Sequence, residues 1–263
     1  MDLGIEDSAA LISASSGGLG KAAAKSLVQE GVNVAVNGRD EDKLYQTVEE
    51  INNLNGGRAI DCKGDITEKQ DILQLVEKTH KEFGKIDHVI TSAGGPPSLP
   101  FTETSDQDWY EAFDLLVMSV VRLVRETEEY LRDSKHGTIT LITSISVKEA
   151  IEDLVLSNSV RMSLIGLMKT LSKELGPDIR VNAILQGAHE TERIKNLIEE
   201  GVKQGKFANY EEGLDFWAED IPLNRIGQPS ELGDLVAFLC SEKSSFLNGT
   251  AIPLDGGGSK SNL

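Results

Sequence analysis

The sequence predicts an α/β fold in which a doubly wound parallel sheet carries helices on both faces. Two observations predict it. Short β-branched or apolar runs alternate with longer stretches of helical spacing through most of the chain, and the first strand-to-helix junction is rich in glycine. Repeated strand–helix units joined by short connections give parallel strands, because each helix carries the chain back to the end at which the previous strand began.

The elements follow in order. Ala9-Ala10-Leu11-Ile12 forms the first strand, and residues 21–29 read as a helix from their alanine content and spacing. Val32 to Val36 is β-branched, bounded by Gly31 and by Asn37-Gly38, and makes the second strand. Helical periodicity resumes over 41–54 and closes at Gly56-Gly57. Strands are then expected over 59–62, 88–90, 138–142 and 179–185, and helices over 68–83, 106–132 and 156–175. No linker, repeat or low-complexity segment interrupts the pattern, so residues 1–263 are expected to form a single Rossmann-type dinucleotide-binding domain. The alternation breaks over 188–223, a stretch of short helices containing Phe207, Tyr210, Phe216 and Trp217. An insertion beyond the carboxyl end of a parallel strand sits where such sheets bind ligands, which predicts a helical substrate lid.

A formal net charge of −17 argues against duplex nucleic acid or an anionic membrane as partner, while leaving room for an anionic cofactor bound locally. Cys62 and Cys240 lie in no CxxC pattern and near no histidine pair, so both are expected to be buried, apolar in role and metal-free. The acidic N-terminal residues do not resemble a signal peptide, and no apolar run is long enough to span a bilayer. A cytoplasmic protein is expected.

A glycine turn between the first strand and helix lets backbone amides approach a pyrophosphate, which the helix N-terminus also favours. Here Ala14, Gly18 and Gly20 give Ala-x-x-x-Gly-x-Gly. At the tip of the second strand, Asn37-Gly38-Arg39 offers no carboxylate to a ribose diol, whereas Arg39, with Lys43 behind it, suits a 2′-phosphate. NADP is therefore expected over NAD. Arg39 has a second reading, as the opening of the next helix paired with Asp40 or Glu41.

Ser13-Ala14-Ser15-Ser16-Gly17-Gly18-Leu19-Gly20 resembles the Thr-Gly-x-x-x-Gly-x-Gly of the short-chain dehydrogenase/reductase family, 3-oxoacyl-[acyl-carrier-protein] reductases included. The likeness continues through Gly64-Asp65-Ile66, Thr91-Ser92-Ala93-Gly94, Ser144, Arg180-Val181-Asn182-Ala183, Gly187 with Thr191, and Asp255-Gly256-Gly257. It implies cofactor contacts from Ser13, Ser15, Ser16, Gly18, Leu19 and Gly20 in the turn, and from Asn37 and Arg39 at the second strand. It further implies Asp65 at the adenine amine beside Ile66, Ala93 and Gly94 under the ribose, and Gly187 and Thr191 at the carboxamide or phosphate. Capping the lid helix is an equally physical role for Thr191. Alanine at position 14 is expected to restrict the turn to φ < 0 and shift it.

In that family a Tyr donates the proton, a Lys four residues later binds ribose and lowers the Tyr pKa, and a Ser holds the carbonyl oxygen. The segment 138–144 matches the strand that ends on this Ser, here Ser144. Counting forward to Ser157-Asn158-Ser159-Val160-Arg161, with the register anchored by Leu164 to Leu167, places Ser157 at the Tyr position and Arg161 at the Lys position. Leu116 falls at the family's relay Asn. An aliphatic hydroxyl is a far weaker acid than a phenol, so Ser157 can orient but not readily protonate. Arg161 keeps a fixed positive charge for a ribose diol or a developing alkoxide. Lys148, Glu149, Asp153, His189 and Glu190 are the candidate substitute acids, His189 having the best-matched pKa. Solvated loop positions are the alternative for them.

The expected function is NADP-dependent hydride transfer to or from a small carbonyl or alcohol, with Ser144, Ser157 and Arg161 as an atypical catalytic set and no metal. A dinucleotide-binding sensor or scaffold of the same fold is the competing reading, and dehydration or isomerisation a third. By resemblance, the helices over 106–132 and 156–175 imply a homotetramer or homodimer. Phe113, Leu116, Val120, Val121 and Val124 place apolar side chains on two faces of the first.

Overall fold

Every residue of the first strand, β1 (Ala9–Ile12), is free of solvent, so it is apolar on both faces rather than alternating. Such a strand belongs at the centre of a sheet covered on both sides. The computed structural model describes residues 2–262 and places it there; Met1 and Leu263, the ends of the expected unit, lie outside the described residues. The remaining strands are β2 (Asn33–Gly38), β3 (Ala59–Lys63), β4 (His88–Thr91), β5 (Gly137–Ser144), β6 (Ile179–Gln186) and β7 (Ala251–Leu254). They form one seven-stranded parallel sheet in the order β3-β2-β1-β4-β5-β6-β7. Strand order reverses between β1 and β4, so the crevice beyond their carboxyl ends is the site such a topology offers to a ligand.

One face of the sheet is covered by α1 (Gly18–Gln29), α2 (Glu41–Asn52) and α10 (Pro229–Cys240), packed on the apolar cluster that includes Ile12, Leu27, Val36 and Val236. On the other face lie α3 (Lys69–Phe83), α4 (Asp106–Phe113), α5 (Ser119–Asp133), α6 (Val155–Val160) and α7 (Met162–Glu174), around Leu75, Leu116, Leu141 and Met168. The segment 188–223 contributes α8 (Glu192–Lys203) and α9 (Tyr210–Ala218).

Three departures from the sequence expectation stand out beyond shifts of one or two residues at element ends. The stretch 106–132 is interrupted by a π-helical turn over Asp114–Met118. Arg122 secures that turn by donating to the Asp114 carboxylate at 2.7 Å and to the Thr67 carbonyl at 2.7 Å. The stretch 156–175 breaks at Arg161 into α6 and α7, and α1 starts earlier than residue 21, at Gly18. The sequence reading also passed over α10 and β7. Helix α10 opens with Pro229 and a capping box between Gln228 and Glu231. It lies so close to α1 that a Cβ on Gly233 would meet the Ala22 carbonyl oxygen at 2.6 Å.

Cys62 and Cys240 are buried free thiols, each pushed up to about 12 by burial. Among the described residues no acidic, histidine and cysteine cluster could hold a metal, and no helix is long and apolar enough to cross a membrane.

Candidate active site

The turn after β1 is tied to β2 by side chains. Asn37 is 2% exposed; its Oδ1 accepts from the Ala14 amide at 2.9 Å, and its Nδ2 donates to the carbonyls of Cys62 and Gly64 at 3.0 and 3.1 Å. The Ser15 hydroxyl accepts from the Asn37 amide and donates to the Ile12 carbonyl, while Ser13 exchanges two hydrogen bonds with the Ser92 backbone. The side chains of Ser13, Ser15 and Asn37 are thus engaged within the protein, as are the amides of Ser13, Ala14, Ser15 and Ser16, which leaves the amides that open α1 to face a ligand.

The expectation that Ala14 would hold φ < 0 is overturned: its φ is +44°. The tie from Asn37 Oδ1 fixes the Ala14 amide, and the turn keeps a left-handed conformation despite the methyl group. Gly18 takes φ +54°. Gly20 admits no side chain, since a Cβ would lie 2.9 Å from the Ser15 Cα. Leu19 is half-buried against the α1 face of the core.

At the tip of β2, a Cβ on Gly38 would meet the Ser16 hydroxyl at 2.4 Å, and one on Gly17 would lie 3.1 Å from the Lys43 ammonium. Neither that ammonium nor the Ser16 hydroxyl has a hydrogen-bond or ionic partner among the described residues. Arg39 pairs with neither Asp40 nor Glu41 but reaches Asp65 at 3.3 Å, with its side chain 78% exposed. Partial burial opposes ionisation of Asp65, yet hydrogen bonds from Thr67 together with Arg39 hold the carboxyl below its usual range. Ile66 is buried beside it, Ala93 is half-buried, and exposed Gly94 has open space where a side chain would stand.

At the end of β5, the Ser144 hydroxyl accepts from the Ser146 amide at 3.1 Å. Ser146 and Ser157 share a hydroxyl–hydroxyl hydrogen bond of 3.1 Å, and Arg161 Nε donates to the Ser157 hydroxyl at 3.2 Å. A continuous polar chain therefore joins Ser144, Ser146, Ser157 and Arg161. Ser146 was not singled out from sequence; its one signal is the repeated serine in Ser144-Ile145-Ser146. Arg161 is 7% exposed, and burial, reinforced by the like charge of Arg193, lowers its guanidinium to about 10. It stays cationic at neutral pH. Leu116 is 1% exposed inside the π-helical turn and packs in the core.

The candidate substitute acids are mostly engaged elsewhere. His189 is buried, its Nδ1 is 3.1 Å from the Gly187 carbonyl, its ring lies against Gly227, and burial holds its pKa below the ordinary value. The Glu190 carboxylate accepts from Tyr210 and Gln228, and that of Glu149 accepts from the Lys260 amide. Asp153 is exposed at φ +57°. Lys148 is half-buried without an ion pair among the described residues. Thr191 sits at the N-cap of α8, but its side chain accepts no capping hydrogen bond. Gly187 lies against Asp255, where a Cβ would come within 2.8 Å of the Cα. In the segment 188–223, Phe207 is buried with its centroid 5.3 Å from that of Phe216.

A family model described as enoyl-(acyl carrier protein) reductase matches residues 13–259. The diacetyl reductase [(S)-acetoin forming] of Staphylococcus epidermidis is 29% identical over 94% of this chain and 97% of its own length. The 7alpha-hydroxysteroid dehydrogenase of Escherichia coli is 28% identical over 98% of this chain and 96% of its own. Among solved structures, L-sorbose reductase from Gluconobacter frateurii, complexed with NADPH and L-sorbose, matches with a TM-score of 0.94 and 29% identity, covering 99% of this chain and all of that one.

Proposed function

The chain belongs to the short-chain dehydrogenase/reductase family, and on that premise we propose an NADP-dependent oxidoreductase acting on a small carbonyl or alcohol substrate. The observation that carries NADP is the tip of β2. The Ser16 hydroxyl, the Lys43 ammonium and the weakly tied Arg39 guanidinium gather where a diol-binding carboxylate is missing. The turn fits a dinucleotide: Gly20 lets the start of α1 pack directly on the Ala14 and Ser15 backbone, Gly18 faces open space, and the amides at the start of α1 favour a pyrophosphate. In this reading the turn of Ser13, Ser15, Ser16, Gly18, Leu19 and Gly20 lines the phosphates, with the amides of Gly18, Leu19 and Gly20 as the donors, and Asp65 and Ile66 lie at the adenine. Ala93, Gly94, Gly187 and Thr191 line the nicotinamide half, and Asn37 holds the turn in shape.

When bound, the nicotinamide supplies or accepts the hydride. Ser144 donates a hydrogen bond to the substrate oxygen, and Arg161 stabilises the charge that develops there. Ser157 receives the Nε hydrogen bond and so orients the guanidinium, while Ser146 links it to Ser144. No hydroxyl in this chain of groups has the acidity of a phenol, and Arg161 keeps its proton as the charge anchor, so the oxygen is held as an anion and takes its proton from solvent. Residues 1–263 are read as one domain with 188–223 as its lid. A homotetramer or homodimer is supported by exposed Tyr110, Phe113 and Met162 and by a shallow depression of about 540 Å³ lined by Trp109, Met118 and Val160.

Fluorescence titration with both reduced nucleotides tests the cofactor. We expect NADPH to bind at least about ten-fold more tightly than NADH, with the preference removed in an Arg39→Ala/Lys43→Ala variant. Equal affinities would overturn the assignment.

A further inference from the structure

The loop after β3 is carried by side chains from two helices. Its Asp65 amide donates to the Asp71 carboxylate of α3 at 2.8 Å, and its Thr67 carbonyl accepts from Arg122 Nη1 of α5 at 2.7 Å. Gly64 allows the first approach, since a Cβ there would lie 2.9 Å from that of Asp71. Beneath the loop, Ile66 borders a void of about 10 Å³ that Ser119, Val120 and Leu123 of α5 also line. Packing from below is therefore incomplete, and the polar ties hold the loop in place.

From Arg122 the ties run without a gap to the tip of β2. Arg122 Nη2 is anchored on the Asp114 carboxylate at 2.7 Å while Nη1 holds Thr67. The Thr67 hydroxyl and amide both donate to Asp65 Oδ1, at 2.8 and 3.0 Å. Asp65 Oδ2 then accepts from Arg39 at 3.3 Å. A carboxylate with one oxygen fixed by two donors cannot turn freely, so its second oxygen keeps a set direction. The Arg39 side chain makes no other hydrogen bond among the described residues. An exposed ion pair is weak on its own, so Arg39 is placed only as well as its acceptor is.

We propose that Arg122 is a positioning residue of the nucleotide site: through Thr67 it aims the Asp65 carboxylate that meets the adenine and steadies Arg39 at the 2′-phosphate. This rests on the NADP reading above. Arginine suits the position because its planar fork spans the Asp114 carboxylate and the Thr67 carbonyl at once, a geometry that a compact ammonium does not repeat. Asp114 is the first residue of the π-helical turn, so one side chain joins that turn to the adenine loop.

Calorimetric titration with 2′,5′-ADP and 5′-ADP tests this, since both carry only the adenine half of a dinucleotide and require no turnover. Arg122→Met is expected to weaken 2′,5′-ADP binding about ten-fold or more, and Arg122→Lys to recover part of the loss. Asp65→Ala supplies the deciding background: if Arg122 acts through Asp65, adding Arg122→Met there costs less than about two-fold further. Thermal melts on the same samples report folding; should Arg122→Met not fold, Arg122→Lys in both backgrounds carries the comparison. A variant that melts earlier yet binds as tightly as the parent overturns the proposal, because Arg122 would then serve the fold alone. So does a loss that persists in full when Asp65 is already alanine. If 5′-ADP binds as tightly as 2′,5′-ADP while the coupling to Asp65 holds for both, the NADP assignment falls and the positioning role stands. A protein that binds neither overturns both.

Discussion

Ala14 holds a backbone conformation that an L-residue reaches at a cost of about 1 kcal/mol, and it does so because Asn37 fixes its amide. Two expectations follow. Ala14→Gly should stabilise the protein by about 1 kcal/mol in urea unfolding, since glycine takes φ > 0 freely. Asn37→Ala should destabilise it by about 3 kcal/mol, from three lost side-chain hydrogen bonds at about 1 kcal/mol each, and should weaken NADPH binding as the turn relaxes. Position 37 reads in the sequence as an absent carboxylate. Its part as the knot between β1, β2 and β3 was not legible, because its partners lie more than twenty residues away. Ser144, Ser157 and Arg161 were legible by spacing, and the structure joins them through Ser146.

At the scale of elements, the stretch 106–132 contains a π-helical turn at Asp114–Met118, a geometry often found at functional sites, yet its buried residues are the apolar Leu116 and Val117. The turn is now held by Arg122 and by core packing. Leu116→Asn would therefore place an amide among Leu75, Val120 and Leu141 without a partner. It should cost about 2–4 kcal/mol in stability and raise no activity, which unfolding and rate measurements on one preparation can check. Strand and helix alternation was legible up to β6 because burial on both faces leaves continuous apolar runs. Helix α10 and β7 were passed over, although Pro229 and Glu231 mark a helix start. Of the aromatics that mark the segment 188–223, Phe207 and Phe216 pack on one another within it.

At the scale of the molecule, the sheet places the switch point, the turn and the end of β5 along one crevice, and its interior also limits stability in acid. His88, the first residue of β4, is buried with Nδ1 2.8 Å from the Thr138 hydroxyl, and burial lowers its pKa from 6.5 to about 4. The unfolded chain binds a proton at higher pH than the folded one does. The stabilisation is therefore complete above pH 6.5 and is lost as pH falls towards 4, by on the order of 3 kcal/mol. Burial acts in the same direction on His189. A His88→Leu variant should flatten this part of the stability–pH curve, whatever its offset; an unchanged slope would assign the loss to other groups.

In the proposed function, a cleft with Ser157 and Arg161 in place of the expected phenol and ammonium supports hydride transfer. Its most direct test follows nicotinamide absorbance when NADPH-saturated protein meets a panel of ketones, aldehydes, sugars and oxo acids, with Arg161→Gln alongside. NADPH oxidation by at least one member of the panel is expected, reduced about a hundred-fold or more when the guanidinium is removed. Tight NADPH binding without oxidation by any of them would contradict it and favour the sensor or scaffold reading.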